Sequence, residues 1–176
     1  ETLRCFPEFM RSLPELLENY SDLQVVIAGA DRRAYSYNAP SHNGSWKEHL
    51  IAELQGKLDL KRILFTGLLN YDEYRSLLWC SNLHCYFTKP YVTSWSLFEA
   101  AACGASLATN NCEATSDILA DETVSWVTID NQRQLNKQLS KALEEDRANS
   151  QLLPGFELDR TLSQWEKLLN ESIQSS

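Results

Sequence analysis

LHCYFTKPYVTSWSLFEAAACGASLATN, residues Leu83 to Asn110, joins three pieces whose order is informative. The apolar, aromatic-rich run Leu83 to Phe87 reads as a buried strand and Thr88 to Ser94 as a polar turn. The small-residue run Ser96 to Cys103 reads as a tightly packed helix ahead of a second strand. Ser94 or Ser96 suits the helix N-cap, and Glu99 is expected in or near its first turn. The free N–H groups of that turn then face the mouth of the preceding strand, an arrangement that favours anions.

The flanking sequence repeats the alternation. Phe6 to Asn19 carries Phe9, Met10, Leu13, Leu16 and Leu17 at helical spacing, with Pro7 in the first turn and Pro14 expected to bend the helix. DLQVVIAG (Asp22 to Gly29) has the β-branched, Gly-terminated form of a buried parallel strand. A long polar and aromatic loop follows, Asp31 to Ser45, with Arg32 and Arg33 on it. Trp46 to Leu58 then reads as a helix, Arg62 to Leu69 as a strand, and Tyr71 to Trp79 as a helix with Asp72 and Glu73 in its first turn. Beyond the central stretch, Ser116 to Ala120 reads as a short helix, Val124 to Ile129 as a strand and Gln132 to Glu145 as an amphipathic helix. Pro154 and Gly155 precede a last helix, Leu158 to Ile173, with Leu162, Trp165, Leu168 and Leu169 on one face. Strands alternating with helices predict an α/β domain over residues 1–155, a doubly wound, Rossmann-like parallel sheet with helices on both faces, and a bracing C-terminal helix over 156–176. In such sheets ligands lie at the carboxyl ends of the strands.

Composition narrows the function. The chain has 176 residues, 43% of them hydrophobic, enough for one α/β domain. Its 24 acidic and 16 basic residues give a net charge of -8, which argues against a nucleic-acid surface or an anionic-membrane anchor. The five cysteines are odd in number and without a CxxC, the usage of buried thiols in a reducing compartment, so a cytoplasmic location is expected. No apolar run approaches the roughly 20 residues of a membrane span. His42, His49 and His84 are scattered singly and read as neither metal ligands nor a catalytic base. A dinucleotide-binding oxidoreductase would need a Gly-rich fingerprint, and IAGADRR supplies a single Gly.

Taken in order, PELL…LQVVIAG, RILFTGLLNYDEYRSLLWCSNLHCYFT and SWSLFEAAACGASLATN resemble the nucleotide-sugar-binding, C-terminal half of the retaining glycosyltransferases of family 4 (group 1), which have the GT-B fold. The resemblance covers nearly the whole chain, and FEAAACGASLATN is similar to that family's Glu-Ala-x-Ala-x-Gly-x-Pro-Val run. It implies that Glu99 binds the donor ribose. The family's earlier glutamate falls on Tyr91, which would line the sugar pocket and is not a carboxylate, so the departure bears on sugar recognition. Arg4, in LRCF, matches a basic residue of a Lys-Gly pattern that pairs with the donor diphosphate, and Cys5 stands in the Gly place. The resemblance further implies that the amides of Ser94, Trp95 and Ser96 face the diphosphate and that the turn at Gly67 and Leu68 meets the base, while Lys89, at a strand end beside Pro90, is placed either to reach phosphate or to be solvated. Trp95 is bulky for its place, so its ring is expected to point away from the donor or to stack on part of it.

The implied substrate is a nucleoside-diphosphate sugar; no cofactor is implied, and the absence of an Asp-x-Asp motif fits metal independence. The implied partner is an acceptor-binding domain upstream in the same protein, together with the domain's own first strand. Any peripheral membrane contact would belong to that domain, and the chain by itself is expected to bind the donor without turning it over. The competing expectation is a non-catalytic glycosyltransferase-like module that binds a ligand or partner; Tyr91 favours it and Glu99 opposes it.

Overall fold

The computed structural model describes residues 2–32, 37–89, 93–145 and 149–174. Five strands, all paired in parallel, are interleaved with helices. Strands β1 (Val25–Ala28) and β2 (Ile63–Gly67) pair with each other, whereas β3 (His84–Tyr86), β4 (Leu107–Asn110) and β5 (Val124–Val127) form a second sheet in the order β3-β4-β5. No ladder joins β1 to β3 among the described residues. The expected α/β alternation of parallel strands flanked by helices is present. Each strand is shorter than its apolar run, because residues such as Leu68 and Phe87 flank the ladder rather than belong to it.

The helices are α1 (Phe6–Asn19), α2 (Trp46–Glu53), α3 (Tyr71–Cys80), α4 (Trp95–Ala102), α5 (Glu113–Ser116), α6 (Gln132–Glu144) and α7 (Leu158–Gln174). Two boundaries depart from the periodicity. Helix α2 stops at Glu53 instead of Leu58: Leu54 closes the last turn and Gly56, at φ 77°, takes the left-handed conformation that ends helices. Helix α5 lies at Glu113–Ser116, ahead of the expected Ser116 to Ala120, because Thr115 Oγ1 donates back to the Asn110 and Cys112 carbonyls and pulls the turn upstream. Pro14 stays inside α1.

Helix α1 buries Met10, Leu13, Leu16 and Leu17, the stripe that its spacing calls for. Phe9 and Leu23 pack against both the β1–β2 core and the core under β3, β4 and β5, so they join the two strand groups. Arg62 fastens the other end of α1, donating to the carbonyls of Leu17 (2.6 Å), Tyr20 (2.8 Å) and Ser21 (3.1 Å), where the helix dipole favours a cation. Strand β4 is buried along its whole length, and Ala100, Ala101 and Ala105 let α4 lie close to the sheet. The outward residues Val26 (40% exposed) and Leu64 (60%) are open on the second face of the β1–β2 pair. On α7 the stripe Leu162, Trp165, Leu168 and Leu169 is also exposed.

The cysteines are less uniformly buried than their apolar surroundings suggest. Only Cys5 is fully enclosed; Cys80 is exposed because it ends α3, and the other three are partly exposed. Cys5 is also the N-cap of α1 with φ 48° and ψ 33°, the left-handed conformation that costs a side-chain-bearing residue about 1–2 kcal/mol. Glycine adopts this conformation without that cost. Burial pushes its thiol up to about 12.

Two predictions follow from these positions. Cys5→Gly should leave stability within about 1 kcal/mol, since relief of the left-handed strain offsets loss of the buried thiol, whereas Cys5→Val should cost about 2 kcal/mol or more; urea unfolding measures both. Equal stability of the two variants would contradict an enforced left-handed cap. The second concerns His84, whose imidazole is lowered by burial from 6.5 to about 4. The unfolded chain then binds the proton first on acidification, so this contribution is complete above pH 6.5 and is lost as pH falls toward 4. The melting temperature should fall across that window, and His84→Leu should flatten the fall.

Candidate functional site

The carboxyl end of β3 gathers most of the residues singled out above. The turn Thr2–Arg4 lies across it, held by the Lys89 N–H donating to the Leu3 carbonyl at 3.0 Å. Arg4 then reaches inward: its Nη1 donates to Tyr86 Oη at 2.6 Å and to Thr88 Oγ1 at 2.8 Å, and its guanidinium carbon stands 5.4 Å from the Tyr86 ring centre. Both of these acceptors are neutral hydroxyls, which orient the guanidinium.

Thr88 is itself fixed. The Asn110 side chain, at the end of β4, accepts from the Thr88 N–H at 2.9 Å and donates to the Thr88 carbonyl at 2.8 Å. All three groups are buried, where each neutral hydrogen bond contributes about 0.5–1.5 kcal/mol and an unmade one costs more. The mouth of β3 is thus tied to its neighbour strand.

Helix α4 begins beside this tie, with Ser94 as its N-cap. Ser94 Oγ accepts from the Ser96 N–H at 3.3 Å and from Ser96 Oγ at 2.9 Å, and the Ser94 N–H donates to Tyr86 Oη at 3.1 Å. Of the three amides expected to face an anion, those of Ser94 and Ser96 are therefore already engaged by the protein. No hydrogen bond among the described residues engages the Trp95 N–H. The Trp95 ring is 83% exposed and leans toward Phe98 (6.4 Å between centres), which in turn meets Phe156 at 5.4 Å.

Glu99 lies in the second turn of α4, not the first, since Ser94 rather than Ser96 is the cap. It is half-buried, and no hydrogen bond or ion pair among the described residues holds its carboxylate. Its charge acts on Tyr74 of α3, whose buried hydroxyl has no hydrogen-bond partner among the described residues; burial first, and Glu99 second, push that phenol up to about 12. Lys89 is turned toward α1, its Nζ 3.9 Å from Glu8 Oε1.

Gly67 and Leu68 stand at the carboxyl end of β2, on the other strand pair. Gly67 has φ 70°, and its carbonyl accepts the Gly29 N–H at 2.8 Å and the Thr66 hydroxyl at 2.9 Å; Leu68 is 76% exposed. No hydrogen bond or ion pair links this turn to the Arg4 cluster among the described residues. Tyr91 and Arg33 lie outside the described residues, and Arg32 is exposed. Among the described residues no group of three His, Cys, Asp or Glu side chains gathers where it could hold a metal ion. No helix among them is long and apolar enough to cross a membrane.

The periodicity reading missed Tyr86, Thr88 and Asn110. Tyr86 sits in an apolar run and reads as core; the signal was its phenol at the last strand position, where a ring can be buried while its tip reaches the strand mouth.

Against this geometry, residues 7–165 match the model of a family described as glycosyl transferase-like. The chain belongs to that glycosyl transferase-like family. The matched span holds Tyr86, Lys89, Ser94 and Glu99 and begins just after Arg4. No curated protein matches the chain. Among solved structures, it is similar to the C-terminal domain of a glycosyl transferase group 1 family protein from Francisella tularensis. That likeness has 20% identity and a TM-score of 0.63 and covers 85% of this chain and 76% of that one. At this identity it establishes the fold alone, a Rossmann-like α/β arrangement of the GT-B kind.

The oriented Arg4 gives a stability prediction. Asn110→Ala removes both bonds to Thr88 and should destabilise the chain by about 2–3 kcal/mol, as measured by urea unfolding. A loss below about 0.5 kcal/mol would show that the clamp does not hold the strand mouth.

Proposed function

We propose that this chain is the donor-binding domain of a retaining glycosyltransferase, and that the mouth of β3 with the first turn of α4 receives the diphosphate of a nucleoside-diphosphate sugar. The observation that carries the reading is Arg4, a cation held by two neutral hydroxyls beside the capped start of α4. Membership of the glycosyl transferase-like family supports it.

Retaining transfer breaks an anomeric C–O bond as negative charge builds on the diphosphate, so the protein must stabilise the leaving group. A helix N-terminus contributes about 0.3–1 kcal/mol at the surface, and a bond from Arg about 1.5–3 kcal/mol. Catalysis asks for more than about 8 kcal/mol, so sugar positioning and an acceptor-binding domain must supply the rest. In this reading Glu99, its carboxylate held by no hydrogen bond or ion pair among the described residues, takes the ribose hydroxyls. Lys89 adds charge near the phosphates, Leu68 and Gly67 meet the base, and Tyr91 lines the sugar pocket. The exposed stripe on α7 would then be covered by the acceptor-binding half.

Calorimetric titration with UDP, GDP and ADP, with and without magnesium, tests the donor site. One of them is expected to bind at micromolar to millimolar Kd without magnesium; Glu99→Ala should weaken it about 10- to 100-fold and Tyr91→Phe should leave it nearly unchanged. Equal losses in both variants would contradict the separate roles of Glu99 and Tyr91. Binding of none of the three by the folded chain would favour a non-catalytic module.

A further inference from the structure

We propose that Tyr86 is a positioning residue of the diphosphate site, setting the Arg4 guanidinium and the start of α4 in one frame before any anion arrives. The inference rests on the donor-site reading above and adds a residue to it. Tyr86 is the last residue of β3 and only 6% exposed, so its ring belongs to the core. Its oxygen does not: it receives Arg4 Nη1 at 2.6 Å and the Ser94 N–H at 3.1 Å, from two segments that are 90 residues apart in sequence.

The electrostatics explain why such an oxygen is needed. A guanidinium and a helix N-terminus both carry positive charge, and bringing them to one point is unfavourable. An oxygen between them that accepts from both replaces part of that repulsion with two hydrogen bonds. A phenol has two acceptor lone pairs, and here Arg4 and Ser94 occupy both. The ring face also lies 5.4 Å from the Arg4 guanidinium carbon, which restricts the cation from a second direction. The guanidinium and the capped start of α4 are therefore set in place in advance, the condition under which a site stabilises an incoming phosphate without reorganising.

Tyr86→Phe keeps the ring and removes only the oxygen. In calorimetric titrations of the chain with UDP, GDP and ADP, and with uridine, guanosine and adenosine as phosphate-free controls, Tyr86→Phe should lower affinity for the diphosphate that binds about tenfold and leave the matching nucleoside unchanged. Arg4→Gln should also weaken the diphosphate, and Arg4→Gln with Tyr86→Phe should be hardly weaker than Arg4→Gln alone, because Tyr86 acts through Arg4. A merely structural role would lower nucleoside affinity as well and would not couple to Arg4. Wild-type diphosphate affinity in Tyr86→Phe, or losses that add in the double variant, would overturn the proposal and leave the donor site standing. A Tyr86→Phe chain that fails to fold would assign the hydroxyl to the scaffold and overturn it too. Absence of diphosphate binding by the unaltered chain would overturn the donor-site reading, and the role of Tyr86 with it.

Discussion

The structure turns on how a cation is fixed at the end of a parallel strand. Arg4 crosses from a turn at the start of the chain to the mouth of β3, where Tyr86 and Thr88 accept its Nη1. Thr88 is held in place by Asn110 of β4, and Tyr86 also receives the N–H of Ser94, the N-cap of α4. Three elements far apart in sequence are thereby tied through neutral oxygens. The two hydroxyls orient the guanidinium, and the Asn110 amide fixes one of them.

The packing below serves the same edge. Small residues on α4 pack it against the sheet, and its cap Ser94 meets Tyr86 at the end of β3. Helix α1 starts from the left-handed Cys5, immediately after Arg4, and a bend of that kind lets the chain turn from the strand mouth into a helix lying on the sheet. Phe9, one turn later, packs against Phe87 at 6.3 Å between ring centres and anchors the start of α1 over the same strand.

Much of this was legible in the sequence, for physical reasons that differ by element. Helices α1 and α6 are amphipathic and bury one stripe each, so their spacing gave their bounds almost to the residue. That a serine, Ser94 or Ser96, caps α4 was readable from side-chain chemistry, and the structure gives Ser94. Strand ends were not, because an apolar residue past the last ladder bond looks the same as one within it. The placement of Glu99 in the second turn followed from choosing between Ser94 and Ser96, which propensity does not separate. The tie through Tyr86 was illegible because it depends on three residues that only the fold brings together, and a tyrosine within an apolar run carries no mark of its hydroxyl's partner. Which residues an anion would meet was clear only in part: the Ser94 and Ser96 amides are spent within the protein.

The most direct test of the account is a two-dimensional amide and arginine side-chain NMR titration of the chain with UDP, GDP and ADP. The account predicts that the largest shifts on adding the nucleotide that binds fall on the Arg4 guanidinium and the Ser94, Trp95 and Ser96 amides, with smaller ones at Gly67 and Leu68. Shifts confined to the shallow hollow along α3, lined by Asn70, Tyr71, Glu73, Ser76, Leu77 and Cys80, would place the ligand elsewhere and contradict it.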